Sequence, residues 1–218
     1  MVADFFNITR MLIWLPAVII ALTFHEYAHA WAADKLGDPT ARYMGRLSLN
    51  PLVHLEPVGF ILLLVAYFGW AKPVPVNPLN LRGDRNRGMM LISAAGPLMN
   101  LFVAFTAALV INFAVPADQM FYSDAPLVKI MWALVYVNVY LAVFNLIPVP
   151  PLDGSKVLAG VLRSDEFIYK LERYGMIILL VLIFSGILGR VLFPLANVII
   201  SFFNTIAGLI AAPFAGLF

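Results

Sequence analysis

Five apolar stretches limit what this chain can fold into. They occupy about residues 11–33, 89–115, 127–150, 174–192 and 194–217. At about 1.5 Å per helical residue, each is long enough to cross a hydrocarbon core of about 30 Å. The chain is 62% hydrophobic and only 12% charged, so a water-soluble fold would expose far more apolar surface than water tolerates. The sequence therefore predicts an all-α integral membrane protein with about five spans.

A shorter apolar run, about residues 58–70, follows the first long stretch. Its 13 residues would reach only about 20 Å as a helix. Since this is too short to span a bilayer, we expect a re-entrant segment. The linker around it is expected to be partly β-like. Prolines in residues 73–78 favour extended backbone, and loose alternation over residues 42–49 predicts a short strand.

Lys and Arg residues predict the orientation of the spans. If residues 58–70 are re-entrant, eleven of the 14 basic residues lie on one side of the membrane and three on the other. If that segment spans, the division is nine against five. The re-entrant arrangement agrees better with the positive-inside rule. It places the amino terminus outside and the basic loops in the cytoplasm.

The remaining composition excludes several kinds of chemistry. The chain has no cysteine, which excludes disulfides, thiolate nucleophiles and cysteine-ligated metal sites. The net charge is only +2 and no large basic block is present, so nucleic acid is not an expected partner. Any reaction must therefore use His, Asp, Glu, Asn or Ser side chains.

The sequence His25-Glu26-Tyr27-Ala28-His29 lies inside the first apolar stretch. Positions i and i+4 share one helix face, so His25 and His29 could bind one metal ion with Glu26 beside them. In such H-E-x-x-H sites the metal is zinc and the glutamate acts as general base. An alternative without a metal is a helix end whose polar side chains extend to the membrane interface. Three ionisable groups within a membrane helix favour the metal site, because they are otherwise unfavourable there.

Two imidazoles and a water leave a zinc site short of one protein ligand. The candidates are His54, Glu56 and Asp153. Asp153 lies in residues 145–154, whose prolines cannot continue a regular helix. Broken backbone at membrane depth is tolerated where it is buried or lines a polar cavity.

The topology favours Asp153 as the third ligand. With a re-entrant linker, the first helix and the helix that ends near Asp153 run in the same direction. His25, His29 and Asp153 then lie at matching depth near the cytoplasmic side. His54 remains an alternative ligand, or a plug over the metal, beside the simpler interpretation as a hydrogen-bonded interfacial histidine.

Three motifs together resemble the site-2 protease family of intramembrane zinc metalloproteases. They are the H-E-x-x-H sequence, Gly96-Pro97-Leu98-Met99-Asn100, and Asn145-x-x-Pro148-x-x-x-Leu152-Asp153-Gly154. The resemblance covers roughly residues 11–160 in the family's order. With neither an inserted PDZ domain nor a nucleotide-sensing domain in this sequence, it resembles the compact branch.

The resemblance implies a three-helix catalytic core, in residues 1–160. The last two apolar stretches are almost continuous, and they predict a C-terminal helical hairpin in residues 161–218 with a tight turn near Gly189–Pro194. The resemblance implies one zinc ion per chain, bound by His25, His29 and Asp153.

It also implies specific roles for three further residues. Glu26 would be the general base. Asn145 would steady the substrate or the transition-state oxyanion, and Asn100 is a weaker candidate for the same task. Asn100 could equally satisfy a neighbouring helix, as polar side chains in membranes often do.

The function expected from this resemblance is hydrolysis of a peptide bond within or near a substrate's transmembrane segment, in regulated intramembrane proteolysis. The expected partners are a membrane-embedded protein substrate and the lipid bilayer, with a homo-oligomer left open. The expected location is a prokaryotic cytoplasmic membrane, with the active site towards the cytoplasm.

Two alternatives to this function remain at the sequence level. One is a membrane metalloprotease that degrades soluble or misfolded chains at the cytoplasmic surface. The other is a zinc carrier or silent scaffold that uses the same ligands. Glu26 argues against a carrier, because a transit site needs no general base.

Overall fold

A computed structural model describes residues 8–66, 69–115, 125–162 and 165–214. Within these ranges the chain forms eight α-helices and no strand. The helices are α1 (Ile8–Lys35), α2 (Thr40–Tyr43), α3 (Pro57–Ala66), α4 (Arg85–Ala114), α5 (Pro126–Asn145), α6 (Asp153–Leu162), α7 (Asp165–Phe184) and α8 (Ile187–Ala211).

Four segments are long and apolar enough to cross a membrane: Met11–Lys35, Arg85–Ala114, Pro126–Asn145 and Ile187–Phe214. The all-α membrane class is thereby confirmed. Helix α7 does not qualify among the described residues, because its first half is rich in Asp, Glu, Lys and Arg.

The limits predicted for the last two spans are wrong. The break between them lies at Ser185 and Gly186, not near Gly189–Pro194. Gly186 has a φ of +72°, the left-handed conformation that commonly ends a helix at glycine. Pro194 instead lies inside α8, as membrane helices allow when neighbouring groups satisfy the freed backbone. Residues 215–217 of the predicted last span lie outside the described residues.

Small side chains form the centre of the helix bundle. Helix α4 contacts α1, α5 and α8, and buried alanines lie where these helices meet: Ala17, Ala104, Ala133 and Ala196. Such residues let helix backbones approach closely, which is how helices associate in a membrane. Helix α8 therefore packs into the same core as α1, α4 and α5.

The two ends of the segment that contains α3 lie next to each other. Leu55 and Ala71 form an isolated antiparallel bridge, and the Lys72 N–H donates to His54 O at 2.8 Å. Because the two ends meet, the segment has the geometry that a re-entrant loop requires. Residues 67 and 68 of the predicted 58–70 segment lie outside the described residues.

The strand predicted for residues 42–49 is wrong. Residues Thr40–Tyr43 form the short helix α2, and the chain then turns so that the Arg46 N–H donates to Ala41 O at 2.8 Å. Asp38 stabilises the turn that precedes this helix, because its Oδ1 accepts from the Thr40 N–H at 3.1 Å. A short acidic side chain that binds backbone two residues on favours a turn over a strand.

Candidate metal centre

Helix α1 and the start of α6 bring three potential metal ligands together. His25 Nε2 and His29 Nε2 are 3.0 Å apart, since the two residues are one helical turn apart. Asp153 Oδ2 lies 3.2 Å from each of them. Among the described residues, these three form the group that could hold a metal ion.

The geometry of the three atoms fits a zinc ion. Ligands bound tetrahedrally at about 2.0–2.1 Å lie about 3.3–3.4 Å from one another, close to the separations of 3.0 and 3.2 Å found here. Two imidazoles and a carboxylate are also a donor set that zinc enzymes use, with one position left for water or substrate.

Both imidazoles are held with Nε2 towards this centre. His29 Nδ1 is 2.7 Å from Ile92 O, and a carbonyl only accepts, so Nδ1 carries the proton. His25 Nδ1 is 2.6 Å from Asn100 Oδ1 and likewise donates. In a neutral ring this leaves each Nε2 with a free lone pair, the form that binds metal.

A sequence-predicted residue, Asn100, is entirely buried and fully hydrogen-bonded. Its Nδ2 donates to Ala21 O at 3.0 Å and to Asn138 Oδ1 at 2.8 Å. Because both partners are acceptors, the atom that contacts them must be the amide nitrogen, which leaves Oδ1 to accept from His25. Asn100 therefore contacts a candidate metal ligand, and its side-chain oxygen and nitrogen are already hydrogen-bonded.

Asn138 was missed by sequence reasoning. It lies in α5 and is entirely buried, with its Nδ2 donating to Leu134 O at 2.9 Å. Because that donation turns Oδ1 towards Asn100, Asn138 fixes the amide that in turn fixes His25. The available signal was an asparagine inside an apolar span, where polar groups mark helix contacts.

Gly96 explains how α4 approaches the centre so closely. A Cβ placed at this position would lie 2.5 Å from His29 Nε2 and 2.7 Å from His25 Cε1. Any larger residue would therefore occupy the space of the imidazoles. The glycine of the Gly96–Asn100 motif makes room for the ligands.

Glu26 is buried beside these ligands but does not belong to the group itself. Its Oε2 accepts from the Val74 N–H at 3.0 Å. A carboxylate close to the centre and outside the ligand set is the arrangement that a general base requires.

The other predicted site residues lie outside the ligand group. Asn145, the last residue of α5, donates from Nδ2 to Leu141 O at 3.0 Å. His54 is buried and its Nε2 lies 2.7 Å from Ser48 O. Glu56 Oε2 accepts from the Gly59 N–H at 2.6 Å.

Two charged side chains outside the membrane-spanning segments, Asp38 and Arg46, are also buried. Burial alone would raise the pKa of Asp38, but hydrogen bonds from Thr40, Asn80 and Asn77 outweigh it and hold that pKa below its ordinary value. Burial lowers the pKa of the Arg46 guanidinium, and the negative charge of Glu26 opposes that shift.

Comparison with known proteins agrees with this centre. The sequence profile of peptidase family M50 matches residues 119–188. Three relatives each bear the name "putative zinc metalloprotease": YwhC of Bacillus subtilis, Rip2 of Mycolicibacterium smegmatis and MJ0611 of Methanocaldococcus jannaschii.

The similarity extends over most of each chain. YwhC is 40% identical over 83% of this chain and 84% of its own length. Rip2 is 29% identical over 89% and 75%, and MJ0611 is 30% identical over 70% and 72%. No solved structure matches the chain significantly. The chain belongs to peptidase family M50, the site-2 protease family, and is a multi-pass membrane zinc metalloprotease.

Proposed function

We propose that this protein is an intramembrane endopeptidase that cleaves a peptide bond within or near a substrate's transmembrane segment, in regulated intramembrane proteolysis. The position of the candidate metal centre within the membrane-spanning helices supports this proposal. His25, Glu26 and His29 lie within the apolar span Met11–Lys35 and are buried among the helices. A protease acting on soluble chains gains nothing from placing its reacting groups there, where charged groups are unfavourable.

The proposed roles follow from the contacts. His25, His29 and Asp153 hold the zinc ion, which when bound polarises a carbonyl and makes water more acidic. Glu26 takes a proton from the attacking water and passes it to the leaving amine. Asn100 acts through His25, whose ring it orients.

Asn145 is the proposed donor to the oxyanion. It stands at the end of α5, where the backbone breaks before Asp153. Its Nδ2 carries two hydrogens and one is used on Leu141 O, so a second remains for a substrate oxygen.

The substrate must lose helical structure to be cleaved. In a helix each backbone carbonyl already accepts a hydrogen bond, and lipid supplies no water. The broken backbone in residues 146–152 supports a polar region at this end of the spans. The basic loops support a cytoplasmic position for it, in a prokaryotic membrane.

A comparison of two substrates tests the proposal. The purified protein, reconstituted in lipid with zinc, is given a peptide containing a transmembrane segment or a soluble casein-like protein. We expect cleavage of the transmembrane peptide and little of casein. The Glu26→Gln variant should keep its zinc and lose at least about 10²–10⁴-fold in turnover. Preferential cleavage of casein would contradict the proposal, and full activity of Glu26→Gln would contradict the role of Glu26.

A further inference from the structure

An extended segment, residues 72–77, lies against the catalytic glutamate, and we call it the roof segment. It begins after the bridge at Ala71 and ends at the short 3-10 turn Pro78–Asn80. We propose that the Val74 backbone N–H of this segment positions the Glu26 carboxylate for proton transfer. This inference rests on the proposed function, because it assigns Val74 a task in that reaction.

The hydrogen bond to Glu26 is specific to one carboxylate oxygen. The Val74 N–H lies 3.0 Å from Oε2, and no protein hydrogen bond to Oε1 occurs among the described residues. A glutamate side chain rotates about three bonds, so an unheld carboxylate would sample many orientations. A charge-assisted bond to Oε2 fixes the carboxylate and leaves Oε1 to accept a proton from water.

The local sequence makes Val74 suited to this task. Prolines occupy positions 73 and 75, and each restricts its own φ angle and the residue before it. The direction of the Val74 N–H is therefore largely set before any substrate arrives. Proline has no N–H, so in residues 73–76 only Val74 and Val76 can donate from the backbone.

Buried charged groups anchor both ends of the roof segment. Arg46 Nη2 donates to Lys72 O at one end. Asp38 Oδ2 accepts from the Asn77 N–H at 2.6 Å at the other. Burying a guanidinium and a carboxylate is unfavourable unless their contacts compensate. The roof segment is therefore held in place by specific contacts at both ends as well as by its prolines.

The same contact argues against another use of this N–H. An extended segment beside a protease site could pair with an unwound substrate by strand addition. Here the Val74 N–H is already directed at Glu26. A positioning group should affect kcat, whereas a substrate-pairing edge should affect KM.

The experiment replaces Val74 by proline, which removes the N–H and retains an apolar, extended residue. Val76→Pro makes the same change two residues further on. For both we measure zinc per chain, KM and kcat on the transmembrane peptide. We expect Val74→Pro to lower kcat about tenfold or more with KM and zinc content as in the wild type. Val76→Pro should retain a kcat close to that of the wild type.

Unchanged kcat in a zinc-loaded Val74→Pro protein would overturn the inference. Raised KM at unchanged kcat would overturn it too, in favour of substrate pairing. Should Val74→Pro fail to fold, Arg46→Met and Arg46→Lys decide the matter. Lysine can still donate to Lys72 O, so kcat should be lower for Met than for Lys at equal zinc content, and equal kcat would contradict the inference. Lack of cleavage by the wild type would instead contradict the proposed function.

Discussion

Asn100 donates to Asn138 Oδ1 at 2.8 Å, which connects α5 to the metal centre through α4. Asn100 in turn accepts from His25 at 2.6 Å. Asn138 thus helps to orient a candidate metal ligand without touching it. Mutation of a group that orients a metal-binding histidine typically lowers metal affinity or activity about 10–100-fold.

We therefore predict that Asn138→Leu weakens zinc binding about 10–100-fold. The substitution removes one of the two acceptors that hold the Asn100 amide, so the orientation of His25 is less firmly fixed. Competition with a chelator of known affinity measures the change. Asn112→Leu is the matched control, because Asn112 also bonds across helices, to Asn204 at 2.9 Å, but its hydrogen bonds go to Ala108 and Asn204 and not to Asn100. An Asn138→Leu protein that binds zinc as tightly as the control would show that the hydrogen bonds from Asn138 through Asn100 to His25 do not affect zinc affinity.

Gly96→Ala should abolish stable zinc binding. The added Cβ would lie 2.5 Å from His29 Nε2, so the imidazole must leave its position. Metal analysis of the purified variant tests this. In the control Gly88→Ala, on the same helix, the added Cβ meets the flexible end of Leu81 at 2.9 Å, and zinc should be retained. A zinc-replete Gly96→Ala protein would contradict the packing argument.

Cysteine labelling tests the predicted orientation. The chain has no cysteine, so single cysteines at Ser48, Asn86 and Ser123 can be labelled without background. We expect Ser48 and Asn86 to react from the cytoplasmic side and Ser123 from outside. Labelling of Ser48 and Asn86 from opposite sides would show that the intervening short segment spans the membrane. Ser164 offers a further position on the cytoplasmic side; Ser123 and Ser164 lie outside the described residues.

The stability contributed by Asp38 should depend on pH. Its pKa in the folded chain lies below the ordinary value of 3.8, so between these two values the unfolded chain binds more protons and stability rises with pH. The contribution is complete at neutral pH and is lost as pH falls through the folded pKa. Thermal unfolding should therefore show Asp38→Asn less stable than the wild type at pH 7, with a difference that shrinks below about pH 4. A difference that is constant down to pH 3 would contradict this assignment.

Much of the candidate site could be predicted from the sequence, because its residues obey simple spacing. His25 and His29 lie one helical turn apart, and helix direction places Asp153 at their depth. Asn138 and Val74 could not be predicted in this way. Asn138 lies alone in an apolar helix without a motif, and Val74 acts through its backbone, which every residue except proline shares.

The fold was predictable to a similar extent. Apolar length identifies the spans, since a bilayer sets their size. The position of the last break was not predictable from apolar length, because the apolar character continues from α7 into α8 across Ser185–Gly186. Pro194 was misleading because a proline inside a membrane helix is tolerated when its neighbours satisfy the backbone.

Zinc content measured on three purified proteins shows whether His25, His29 and Asp153 together hold one zinc ion. The wild type should carry about one zinc per chain, as three protein ligands and one open position require. Asp153→Ala should lose most of it, because one of three ligands is gone. His54→Ala should keep it, because His54 bonds to Ser48 O and lies outside the group. A zinc-replete Asp153→Ala protein beside a zinc-free His54→Ala protein would show that His54, and not Asp153, is the third ligand.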